Sequence, residues 1–171
     1  KYQEVLADLH EADPEGYDHW VEIYEDKGHW MDKEDAAAIT WMQERTRDLR
    51  PNKVVWRVEG RAPHRSYWLS QDEVMGGSRV VVELKGQEIH VLECENTDRL
   101  TFRLDDSMLD LDQVVKVKRG SAYYFIGKVP RQRAVLAETL AERSDPKGMF
   151  SAEITVDFRT DAIDLPPEEG R

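Results

Sequence analysis

The spacing of apolar positions along the chain changes period near residue 52. Before that point it is mostly helical. In "YQEVLADLHEA" (2–12), Val5, Leu6 and Leu9 fall on one helical face, and Pro14 and Gly16 in "DPEGYD" break the helix. Val21 and Ile23 alternate with polar neighbours in "WVEIYE" (20–25), which predicts a short strand after Trp20. From Asp32 the pattern is helical again. Asp32 is a candidate cap, Asp35 follows it, and Ala36, Ile39, Thr40 and Met42 carry the helix toward Arg47. Acidic residues at its start and Arg45, Arg47 and Arg50 near its end suit the helix dipole, and Pro51 marks the stop.

Beyond Pro51 the period is two. Strands are predicted at 54–60, 65–70, 78–86, 88–95, 100–106, 114–120, 123–129 and 150–158, separated by turns such as "MGGS", "KGQ", "ENTD" and "RGSA". Many short alternating strands point to an antiparallel sandwich or barrel. One helix interrupts them, "RQRAVLAETLAERSD" (131–145), with Val135, Leu136, Thr139 and Leu140 on one face. The expectation is an α+β chain. A helix–strand–helix segment spans 1–52, an antiparallel β-sandwich-like domain with one packed helix spans 53–160, and 161–171 is a tail ending in "DLPPEEGR" that frays.

Composition removes several functions. A net charge of −11 argues against a phosphate-backbone binder, and no basic stripe interleaved with aromatics is present, so nucleic acid is not an expected partner. No apolar run approaches the roughly 20 residues that span a bilayer, so no membrane span is expected. Cys94 is the single cysteine, which excludes an internal disulfide and a cysteine-based zinc site, and its place in a strand pattern reads as a small buried hydrophobe. There is no phosphate loop and no dinucleotide glycine pattern, so no cofactor is expected. The chain starts at Lys1 without an initiator Met, as a processed protein or a piece of a longer one would. Its compartment is therefore not read directly; a periplasmic or secreted location is the working expectation.

One histidine stands out. His29 in "EIYEDKGHWMDKEDAAAITWM" sits between a predicted strand and a predicted helix, beside Gly28 and Trp30. A general base belongs in such a place, on a loop at the carboxyl end of a sheet, with its second nitrogen held by a carboxylate. The alternative is an ordinary surface histidine. His10, His19, His64 and His90 have weaker surroundings and read as structural.

The stretches "HWVEIYEDKGHWMDKEDAAAITWMQERTRDLRPNKVVW", "HRSYWLS", "LTFRLDDSMLDLDQVVKVKRG" and "FIGKV" resemble the C-terminal portion of bacterial esterases and peptidase-like proteins with the α/β-hydrolase fold. The resemblance runs to about residue 158. It implies that His29 is the base of a Ser-His-acid triad, that 1–52 is a remnant of the hydrolase core, and that the β-rich part is an appended sandwich domain. Where that group often has Pro after the "DLD" turn and Asn-Gly in the next hairpin, this chain has Val114 and "RGS".

The nucleophile is missing. A nucleophile elbow needs Gly-x-Ser-x-Gly, and none of the serines at 66, 70, 78, 107, 121, 144 and 151 has it. Cys94 lies mid-strand, a poor setting for a nucleophile. Asp8, Asp13 and Asp18 occupy helix and turn positions, so the triad acid is expected upstream of Lys1. The expected function is thus the C-terminal part of a serine hydrolase acting on an ester or amide, inactive alone. Its expected partners are the upstream hydrolase core of the same parent chain and the parent's ester or peptide substrate. The alternative is a non-catalytic β-sandwich module that binds a polysaccharide or protein. A solvent-facing row of Trp56, Tyr67 and Trp68 would favour binding, and their burial against the first segment an accessory role. The aspartates of "DDSMLDLDQ" (105–113) lack the glycine and terminal Glu of an EF-hand loop, and the carboxylates around His29 have no second His, so no metal is expected.

Overall fold

Among the described residues, the alternating positions after Pro51 fold into nine strands in two sheets. The structure, a computed structural model, describes residues 1–14, 17–60, 63–74 and 76–163. The five-stranded sheet runs in the order β1 (Lys53–Arg57), β4 (Arg79–Lys85), β5 (Glu88–Glu95), β7 (Val115–Arg119), β8 (Ala122–Gly127). The four-stranded sheet runs β2 (Arg65–Ser66), β3 (Leu69–Ser70), β6 (Arg99–Leu104), β9 (Ala152–Asp157). Successive side chains alternate faces, so Val54, Trp56, Val80, Val82, Ile89, Val91, Val115 and Val117 share one side of the first sheet. They share one core with Leu69, Leu100, Phe102, Leu104, Ile154 and Val156 of the second. Trp68 is fully buried with its ring 6.3 Å from that of Phe102. Its indole N–H is not orphaned, because it donates to the Pro51 carbonyl at 2.8 Å.

Two expectations about the strands change. The five-stranded sheet is mixed, not wholly antiparallel, since β5 and β7 are parallel, with Ile89 opposite Val117; the four-stranded sheet is antiparallel as expected. The cause is topological. After β5 the chain crosses to the other sheet as β6, and it returns beside β5 in the same direction. The run 65–70 is a hairpin, not one strand, since Tyr67 takes a left-handed φ of 51° and brings Ser66 opposite Leu69.

The interrupting helix, α3 (Arg133–Arg143), buries Val135 and Thr139, a narrower face than the four apolar positions suggest. The Thr139 hydroxyl donates to the Val135 carbonyl at 2.8 Å and accepts from the Phe150 N–H at 3.1 Å, which ties the helix to the chain entering β9. Ser144, left-handed at φ 52°, ends the helix, and its N–H donates to the Leu140 carbonyl.

The chain divides into two units, Lys1–Arg47 and Asp48–Arg171. The first holds α1 (Tyr2–Ala12), a 3-10 turn at Met31–Lys33 and α2 (Ala36–Gln43). The predicted strand at 20–25 is absent. A strand needs a neighbour to take its N–H and C=O groups, and this unit offers none, so the stretch is coil with Ile23 73% exposed. The expected helix–strand–helix is thus helix–coil–helix. α2 also starts later than expected, with Asp35 in the cap position, because Asp32 is left-handed at φ 53°. No described residue of 1–47 is buried. Of the tail, 164–171 lies outside the described residues; Ile163 makes one bridge, donating its N–H to the Tyr123 carbonyl at 2.7 Å.

Candidate functional site

His29 stands on a tight turn. The Met31 N–H donates to the Gly28 carbonyl at 2.9 Å, the Lys33 N–H to Trp30 at 3.1 Å and the Glu34 N–H to Met31 at 2.9 Å. These overlapping turns force Met31, Asp32 and Lys33 into the left-handed region, with φ of 45°, 53° and 67°. Each non-glycine residue there costs about 1–2 kcal/mol. Gly28 is not among the left-handed residues, and a Cβ on it would meet nothing within 4 Å. The left-handed run therefore follows His29, and before it Asp26, at φ 58°, is left-handed while Gly28 is not. Lys27 braces the turn through Asp32 at 3.3 Å and Glu34 at 2.7 Å, and Tyr24 donates to the Glu34 carbonyl at 3.3 Å.

The imidazole of His29 is exposed, and neither ring nitrogen has a hydrogen-bond partner among the described residues. Trp30, 84% exposed, lies edge-on to it at 5.2 Å. It does not wall the ring from water, because it is itself uncovered. Two concavities flank Trp20: one of about 160 Å³ includes Glu22, Tyr24 and Met31, the other, about 600 Å³, includes His19, Trp41 and Glu44. His29 lines neither. The Glu22 carboxylate beside Tyr24 holds its phenol above the usual range.

The first unit contains no serine or cysteine to serve His29 as a nucleophile. All seven serines fall in the second unit, where Ser107 donates to Asp105 and Ser78 is fully buried. The Cys94 thiol donates to the Thr97 carbonyl at 3.0 Å, and burial pushes it up to about 11, so it is a poor nucleophile. The aspartate-rich turn is spanned by a guanidinium. Arg131 donates to Asp106 at 2.9 Å and Asp112 at 2.8 Å, holding both carboxyls below their usual range. Asp105 pairs with Arg50, and Asp110 accepts from the Asp112 N–H at 2.9 Å and from Gln113 at 2.8 Å. Among the described residues no three His, Cys, Asp or Glu side chains gather to hold a metal ion.

Of the aromatic trio, Trp56 and Trp68 are buried in the sandwich core and Tyr67 is 39% exposed. They form no exposed row. Among the described residues no helix is long and apolar enough to cross a membrane.

The sequence reading missed a polar hub on the outer face of the five-stranded sheet. Glu88 takes Lys118 at 2.9 Å, His90 at 3.0 Å and the Tyr123 hydroxyl at 3.4 Å, with Lys116 at 3.7 Å. The Lys118 ammonium foremost, against the opposing effect of burial, holds the Glu88 carboxyl down at about 2. Strand alternation places 88, 90, 116 and 118 outward; the β5–β7 pairing that joins them was not foreseen. No family model matches this chain, and no curated protein or solved structure matches it either.

Proposed function

We propose that residues 1–47 are the histidine-bearing C-terminal part of a serine hydrolase of the α/β-hydrolase type, acting on an ester or amide, and that the β unit is its accessory domain. The observation that carries this reading is the uncovered state of the first unit. An exposed, unbonded His29 sits on a strained turn, in a segment where no described residue is buried and where Trp20, Ile23, Trp30, Ile39 and Met42 all face solvent. Apolar surface left open in this way calls for a covering partner. The upstream hydrolase core of the same parent chain is that partner; it pairs the unmatched stretch 20–25 and supplies serine and acid. His29 takes the serine proton as the acyl bond forms and returns it to the leaving group.

The test uses the full-length parent and a fluorophosphonate, which labels an activated serine. Wild type labels rapidly, and His29→Ala slows labelling by orders of magnitude with the melting temperature unchanged. Equal labelling of the two proteins overturns the reading.

A further inference from the structure

The β unit carries a cleft to which no residue of the His29-bearing unit contributes. It holds about 660 Å³, within the range of small-ligand sites, and its walls come from the segment after β3 (Asp72, Glu73), the β5–β6 turn (Asn96, Asp98), the start of β6 (Arg99) and the turn after β9 (Arg159). Every one of these side chains is polar. Asn96 is left-handed at φ 53°, and its amide nitrogen donates to the Gly77 carbonyl at 3.1 Å, leaving the amide oxygen as a positioned acceptor.

Charge of both signs is present and much of it is held in place. Arg99 pairs with Asp72 at 3.4 Å. Arg159 is clasped by Asp157 through Nε at 2.9 Å and Nη2 at 2.5 Å, which leaves Nη1 without a partner among the described residues. The carboxylates of Glu73 and Asp98 have no hydrogen bond or ion pair among those residues.

The chemistry selects the occupant's class. Three carboxylates repel an anion, and two guanidiniums disfavour a simple cation. An apolar ligand would strip water from every wall without replacing its hydrogen bonds. A hydroxyl both donates and accepts, so it satisfies carboxylate, amide oxygen and guanidinium alike. We infer that this cleft binds a neutral, hydroxyl-rich ligand, a saccharide unit, with Asp98 and Asn96 accepting and Arg99 and Arg159 donating. The site is independent of the aromatic row, whose tryptophans are buried.

Amide chemical shifts of the full 171-residue chain test this during titration with neutral oligosaccharides of glucose, galactose, mannose, xylose and N-acetylglucosamine. Spermidine and polygalacturonate serve as the cationic and anionic probes. The expected result is a saturable shift of residues 72–73 and 96–99 with at least one neutral saccharide and with neither charged probe. Asp98→Ala should weaken it about tenfold or more, through loss of a hydrogen bond to a charged group. Asn96→Gly, which keeps the left-handed backbone, should weaken it while leaving the rest of the spectrum in place. The inference is overturned if no saccharide in the series shifts these residues, if spermidine shifts them instead, or if binding survives both substitutions. The measurement reads no hydrolase chemistry, so its failure and that of the His29 reading are separate outcomes.

Discussion

Arg103 of β6 donates to both carboxylate oxygens of Glu142 on α3, at 2.5 and 2.9 Å, from a position that is 4% exposed. Arg65 joins the same carboxylate at 2.5 Å, and Glu138 takes Arg103 from the side at 3.2 Å. This bidentate clamp fastens the helix to the four-stranded sheet. Arg103 holds the Glu142 carboxyl at about 2, against an ordinary 4.5, and burial opposes the effect without cancelling it. A depressed carboxyl contributes stability that is present above its unfolded value and is lost as pH falls through the folded one. Unfolding free energy should therefore drop by on the order of 2–3 kcal/mol between about pH 4.5 and pH 2. Glu142→Gln should remove that part of the slope in urea titrations at several pH values. Glu153 works the other way: burial first, then Glu138, raises its carboxyl, so Glu153→Gln should stabilise the protein at neutral pH. A wild-type slope retained in Glu142→Gln would show that the clamp is not its source.

The clamp also shows what sequence could and could not supply. Period-two alternation located the strands within a few residues, because each strand has one face in a common core: Val80 and Val82 in, Arg79 and Glu83 out. The parallel β5–β7 pair was not legible, since alternation is identical in parallel and antiparallel strands. The Arg103 and Glu142 pair, 39 residues apart, depends on that tertiary placement and left no local signal. "WVEIYE" failed for a different reason. Its alternation is that of a strand, yet alternation describes a face and cannot provide the neighbour that makes hydrogen bonds. At the candidate site, the loop position of His29 was readable, while the left-handed backbone falls at Asp26 and Met31–Lys33, where no glycine announced it.

Residues 48–171 should fold without the first unit. Every residue of the hydrophobic core lies between Val54 and Phe158. A fragment beginning at Asp48 should melt cooperatively within a few degrees of the full chain by circular dichroism, because the deleted segment contributes no buried residue. Trp68→Ala in that fragment should cost about 3–5 kcal/mol, the loss expected for a fully buried large aromatic. A fragment that fails to fold would place part of its stability in residues 1–47.

The aspartate-rich turn should be indifferent to calcium. Arg131 already spans Asp106 and Asp112, Arg50 already takes Asp105, and Asp110 is turned onto its own loop. Chelator should leave the melting temperature unchanged, and millimolar Ca²⁺ should not raise it by several degrees. Arg131→Ala removes the bridging cation and leaves two carboxylates facing each other across the turn. If any form of this protein gains stability from Ca²⁺, it should be that variant. A calcium-dependent rise in the wild type would mean that the aspartates open to the ion in spite of Arg131.

The chain of 171 residues should show no enzymatic turnover of its own. His29 is exposed and unbonded, so it behaves toward an activated ester such as p-nitrophenyl acetate as a tethered imidazole. Imidazole in water is a weak catalyst because it lacks a positioned nucleophile and an oxyanion hole, the two elements that hold most of the rate. The rate per molecule should rise linearly with ester concentration, without saturation, and should not exceed that of free imidazole at the same pH. His29→Ala should lower it no more than loss of one exposed histidine out of five would. In the longer hydrolase proposed above the same substitution should lower kcat by orders of magnitude and leave KM nearly unchanged, because a base acts on the transition state more than on the bound substrate. The contrast between the two proteins is the informative quantity. Saturable turnover by the isolated chain, abolished by a fluorophosphonate, would mean that one of its own serines is the nucleophile and that the upstream core is not needed.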